Sequence, residues 1–141
     1  MRDAAELNRA LTRRFFQEVW NDADEDAIDR YVAADAAGND PTFGAGREAF
    51  RAQWRKWQSA FTDLHFAIEE IVAEPDKVVA RWVLTGRHTG TFLGVPATGR
   101  EISVHGMSLD HIKDNQIVSG FDAWDELGLR RQLGVTLDVE S

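Results

Sequence analysis

The stretch SVHGMSLDHIKDNQIVSGFDAWDELG, Ser103 to Gly128, concentrates side chains that can move protons: His105, His111, Asp122 and Asp125. They lie in or beside segments that read as β-strands, where Val, Ile, Phe and Tyr are favoured and Asp is depleted. Asp122 directly follows Phe121 and precedes Ala123-Trp124. If it faces an apolar pocket, desolvation lifts its pKa above the reference of about 3.9 and makes it a general acid/base. If it faces water, it is a strand-end residue or a helix cap. Asp125 opens DELGLRRQLG and reads as the N-cap of a closing helix. His105, in ISVHGMSL, would donate to a substrate carbonyl or relay a proton from within a pocket. Elsewhere it would be a half-buried histidine satisfied by backbone. Strand alternation puts Ser103, His105, Met107, Leu109 and His111 on one face. Val104, Gly106, Ser108, Asp110 and Ile112 take the other. Both faces are mixed, so periodicity leaves open which one points inward.

The remaining histidines, His65 and His88, add no metal pattern. The four show neither an i, i+4 helical pair nor HxH spacing. With no cysteine, disulfides, thiolate catalysis and cysteine metal sites are excluded. The expectation is no metal and no organic cofactor.

These residues need a scaffold. Ala5 to Trp20 reads as an amphipathic helix, with Leu7, Leu11, Phe15 and Val19 on one stripe. NDADEDAIDRYVAAD reads as a short second helix capped by Asp24. Ala36 to Gly46 reads as loop, and a third helix spans about Arg47 to Ala60 with Phe50, Trp54 and Trp57 on one side. Near residue 62 the period changes to that of strands. Two strands flank a turn at Glu74-Pro75-Asp76, a third follows the loop GVPATGR, and KDNQ turns into a fourth, IVSGFDAW. Helices first and antiparallel strands afterward give an α+β order in a single domain, residues 1–141.

Composition narrows the partners. A chain of 141 residues with 43% hydrophobic residues suits one globular domain. A net charge of −8 disfavours nucleic acid, whose binders carry a basic face. No apolar run reaches the roughly 18–20 residues that cross a membrane, and the N-terminus lacks an apolar signal-peptide core. A cytoplasmic location is expected.

The element order and several motifs resemble the SnoaL-like polyketide cyclases of the nuclear transport factor 2-like superfamily. The resembling segments are RRFFQEVWN (Arg13–Asn21), NDP (Asn39–Pro41), AFTDLHFAIEEIVAEPDKVVARWVLTGRHTGTFLGVPATGR (Ala60–Arg100) and FDAWDELGLRRQLG (Phe121–Gly134). The resemblance implies a cone: a strongly curved antiparallel sheet against three N-terminal helices, closed by a short C-terminal helix, with an apolar pocket at the wide end. Five tryptophans and eight phenylalanines suit a pocket for a flat aromatic ligand. Phe16, Trp20, Trp54, Phe92 and Trp124 are the expected substrate-binding aromatics, with His88 shaping the pocket mouth. Asn39, where relatives carry a histidine before DP, would hold a substrate oxygen but cannot take a proton. The chain also departs from the family at SGFD, Ser119–Asp122, where a Glu-His-Trp-Asp type of run is common.

The family's cyclases close a ring by intramolecular aldol condensation without metal or cofactor. A base of raised pKa deprotonates a C–H beside a carbonyl, and the enolate attacks a second carbonyl of the same molecule. The resemblance puts the base at Asp122, with His105 as assistant. The expected substrate is a small, apolar, polycyclic carbonyl compound. The alternatives are a non-catalytic protein that carries such a ligand in the same cone, and a related hydroxylase or isomerase. A homodimer is expected, because three helices leave apolar sheet surface uncovered.

Overall fold

Two Asp side chains start the first two helices by accepting otherwise orphaned backbone N–H groups. Asp3 accepts from Glu6 N at the head of α1 (Ala4–Phe15), and Asp24 accepts from Asp26 N at the head of α2 (Glu25–Tyr31). The computed structural model describes residues 3–38 and 45–135 of the chain. Between the two helices α1 widens into a π-helical turn, Phe16–Asn21. The wider turn lets consecutive residues Phe15 and Phe16 both point inward, with ring centroids 5.3 Å apart. Helix α3 (Arg47–Ala60) matches its expected span, and α4 (Glu126–Gln132) is capped by the Asp125 carboxylate accepting from Gly128 N, as its sequence indicates.

The sheet has five strands: β1 (Val32–Gly38), β2 (Phe61–Ala73), β3 (Lys77–His88), β4 (Glu101–Lys113) and β5 (Gln116–Trp124). Their order is β1-β5-β4-β3-β2. The four long strands are antiparallel, as expected, but β1 pairs parallel with β5 and makes the sheet mixed. This first strand corrects the reading of VAAD as helix and of the next residues as loop. Alanines favour helix locally, but here pairing with β5 overrides that preference. The β4–β5 connection is a tight turn with Asp114 and Asn115 both at positive φ (51° and 62°), the geometry that fits strand twist. Register shifts in β2, at Thr62/His65 and Ile68/Glu70, mark the irregularities that bend a sheet.

The inner face of the sheet is settled by burial. Phe66 of β2, Val78, Ala80, Trp82 and Leu84 of β3, and Ile102 and Val104 of β4 are all buried. Helix α1 packs over β2 and β3, and α3 over β1 and β2. On β4 the face of Val104, Gly106, Ser108, Asp110 and Ile112 is therefore the inner one. Gly106 is required there: a Cβ would stand 2.3 Å from the Trp82 ring and 2.9 Å from Trp124 Cβ. The opposite face of the same strands carries exposed Met107 and Phe121.

Candidate active site

The helices and the inner sheet face enclose a cavity of about 550 Å³. One wall is aromatic. Phe16 and Trp20 approach Phe66 with ring centroids at 5.1 and 5.3 Å, and Phe66 meets Trp82 edge-on at 4.9 Å. Elsewhere in the lining, Phe92 lies 4.6 Å from Trp57, which meets Trp124 edge-on at 5.8 Å. These rings form flat apolar walls of the kind that hold a planar ligand. Lys56 of α3 and Glu126 and Arg130 of α4 also line the cavity.

The other wall is polar and comes from β4 and β5. Ser108 and Asp110 are each only 6% exposed, and both line the cavity with Asp122 and Gly120. Ladder pairing sets Ser108 opposite Asp122 and Asp110 opposite Gly120. The two carboxyls are thus diagonal neighbours on the inner face. Ser108 Oγ accepts a buried hydrogen bond from Trp82 Nε1 at 2.9 Å, which orients the indole against the cavity. Burial pushes the Asp110 carboxyl up to about 8, and the nearby charge of Asp122 adds to the lift.

The sequence-derived candidates divide. Asp122, Phe16, Trp20, Phe92 and Trp124 all line the cavity. His105 does not: it stands on the outer, exposed face of β4, because strand alternation turns it away from Val104 and Gly106. That overturns its assignment as a pocket residue assisting Asp122. His88 is fully buried instead of shaping the mouth, and it is not among the cavity-lining residues. Its Nδ1 accepts from Thr98 N at 3.2 Å, so it fastens the loop after β3. Trp54 is a core residue whose Nε1 donates to Val19 O at 2.8 Å, behind the cavity wall. Asn39 lies outside the described residues. His65 and His111 are exposed.

Sequence reasoning passed over Asp110, Ser108 and Trp82. A signal was present: Asp110 shares a strand face with Val104 and Ile112, where an acid has no packing value. No group of three or more potential metal ligands occurs among the described residues.

Comparison with known proteins agrees with this architecture. Residues 10–133 match the family described as SnoaL-like polyketide cyclase. The chain is 35% identical over 133 residues to aklanonic acid methyl ester cyclase DauD of Streptomyces sp. (strain C5), covering 92% of this chain and 80% of that one. It is 33% identical over 121 residues to nogalonic acid methyl ester cyclase of Streptomyces nogalater, covering 82% of this chain and 90% of that one. Among solved structures, TsrD from Streptomyces laurentii superposes with a TM-score of 0.85 at 34% identity, covering 93% of this chain and 97% of that one.

Proposed function

Because the chain belongs to the SnoaL-like polyketide cyclase family, we propose that it closes a ring in a flat, polycyclic carbonyl ester by intramolecular aldol condensation, with Asp122 as the general base. The observation that carries this reading is a carboxyl group on the wall of a largely apolar cavity, at the position the family resemblance assigns to the acid/base. The cavity volume of about 550 Å³ falls in the range of small-molecule sites. The Asp122 carboxylate takes the proton from the activated C–H, and the rings of Phe16, Trp20 and Trp124 hold the polycycle so that enolate carbon and carbonyl carbon meet. The similarity to cyclases of aklanonic and nogalonic acid methyl esters makes those two esters the substrates to try first.

Among the described residues, no helix is long and apolar enough to cross a membrane. A cytoplasmic homodimer is part of this reading. Exposed Met107 and Phe121 on the outer sheet face support self-association there.

The test compares wild type with Asp122→Asn. Asn keeps the shape but cannot accept the proton. Turnover of either ester is expected to fall at least ~100-fold, the lower end of what a general base contributes, while melting temperature and ligand affinity change little. Full activity in Asp122→Asn rejects the mechanism. Binding of the esters by wild type without any turnover favours a carrier of apolar ligands.

A further inference from the structure

The geometry points to a second functional carboxyl: Asp110, in its neutral form, donates a hydrogen bond to the substrate carbonyl that is attacked, and then its proton to that oxygen. This rests on the cyclase reading above and adds the electrophilic half of the reaction, which Asp122 alone does not supply.

The first ground is position. Asp110 lines the same cavity as Asp122, on the adjacent strand and the same inner face. Diagonal neighbours of an antiparallel ladder lie about 7–8 Å apart, which leaves space for a reacting carbonyl and its enolate partner between the two groups. The second ground is the room made for it. The residue across the ladder from Asp110 is Gly120, where a Cβ would lie 3.0 Å from Asp110 Oδ1. A larger residue there would crowd the carboxyl. The third ground is cost. The inner-face neighbours on β3 are Val78, Ala80 and Trp82, all buried. A carboxyl there adds nothing to packing, and burying it is unfavourable unless it stays neutral.

The surroundings keep it neutral. Among the described residues, the other charged side chains lining the cavity are Asp122 on β5, Lys56 on α3, and Glu126 and Arg130 on α4. The Asp122 charge bears on Asp110 in the same upward direction as burial. Two nearby carboxyls in an apolar site divide into an ionised and a protonated member. Asp122 takes the first role and Asp110 the second.

The step balances. The Asp122 carboxylate removes the proton from carbon, and the freed electron pair forms the enolate. The enolate carbon bonds to the second carbonyl carbon, whose π pair moves onto oxygen. That oxygen takes the Asp110 proton. Asp122 is left protonated and Asp110 ionised, and one proton passing from Asp122 to Asp110 restores both. Nothing is oxidised or reduced, and the product is an isomer of the substrate.

The experiment uses 9,10-anthraquinone-2-carboxylic acid methyl ester, a flat carbonyl ligand with no titrating group. Its affinity is read by tryptophan fluorescence from pH 6 to pH 10 for wild type, Asp110→Asn and Asp110→Leu. Wild-type affinity is expected to fall about tenfold between pH 7 and pH 9, as the donor becomes a carboxylate. Asp110→Asn, which keeps a donor at every pH, is expected to bind without that fall. With aklanonic acid methyl ester, Asp110→Leu is expected to lower kcat about 10²–10³-fold with a smaller change in KM, the usual cost of losing one donor to a developing oxyanion. The nearly isosteric Asp110→Asn decides the matter if Asp110→Leu does not fold. A flat wild-type profile, absence of probe binding at pH 7, or an unchanged pH fall in Asp110→Asn overturns the inference. If the ester is not turned over but the probe profile holds, the cyclase reading fails while Asp110 stands as the donor to bound carbonyl.

Discussion

Along β4, neighbouring residues live in different solvents. Ser108 and Asp110 face the cavity and are each 6% exposed, while Met107 is 46% exposed and His105 and His111 stand in water on the outer face. On β5 the same alternation separates cavity-lining Asp122 from Phe121, which is 58% exposed. The outer face has the residue types usually sought first in an active site, two histidines and an aromatic ring. The inner face has the environment. Water competes for every proton and hydrogen bond that an outer histidine can offer, whereas desolvation changes the proton affinity of an inner carboxyl by several powers of ten. On this sheet, chemistry follows the face rather than the residue type.

The contrast is most strongly tested through the pH dependence of stability. The Asp110 carboxyl is raised from 3.8 to about 8 in the folded protein. Between these limits the folded chain keeps a proton that the unfolded chain has released. Its contribution is therefore fully present below about pH 4 and is lost as pH rises through about 8. Urea unfolding of wild type and Asp110→Asn from pH 5 to pH 9 is expected to show the variant losing less stability, by an amount on the order of a few kcal/mol. Parallel curves would mean that Asp110 is not desolvated in solution.

A smaller effect is expected from filling the inner face. Gly106→Ala places a methyl group 2.3 Å from the Trp82 ring. The indole must move, which strains its hydrogen bond to Ser108. Overpacking of this kind costs about 1–3 kcal/mol, and it should appear in the melting temperature together with a changed tryptophan emission. Unchanged values for both would show that the cavity wall yields freely.

The smallest effect belongs to the outer face. His105→Ala is expected to leave ester turnover within about twofold and stability within about 0.5 kcal/mol, as for exposed substitutions generally. A loss of turnover comparable to that of Asp122→Asn would break the distinction between the two faces.

Local rules were enough for much of the scaffold. The 3.6-residue stripe of Leu7, Leu11, Phe15 and Val19, the Asp24 and Asp125 caps, the change of period near residue 62 and the Asp114-Asn115 turn depend on near neighbours in the chain. Their structural counterparts lie where the sequence puts them, except Leu7, which begins the stripe but is left exposed near the start of α1. Strand β1 was hidden for the same reason reversed. Val32-Ala33-Ala34-Asp35 has no β-branched run or alternation, and it becomes a strand through its partner β5, a pairing between Val32 and Ile117 across 84 intervening positions of sequence.

The site shows the same division at finer grain. Sequence by itself determined that Asp122 sits beside aromatic residues on the last strand, that the histidines have no metal-ligating spacing, and that the chain carries the family's motifs. It could not choose between the two faces of β4, because Val104 and Ile112 on one are answered by Met107 and Leu109 on the other. Tertiary structure made that choice by laying Trp82 across Gly106 and closing helices over the same side. Having done so, it put His105 into water and Asp110 out of it. A side chain's type is written in the sequence, but the solvent that sets its proton affinity exists only once distant elements have packed around it.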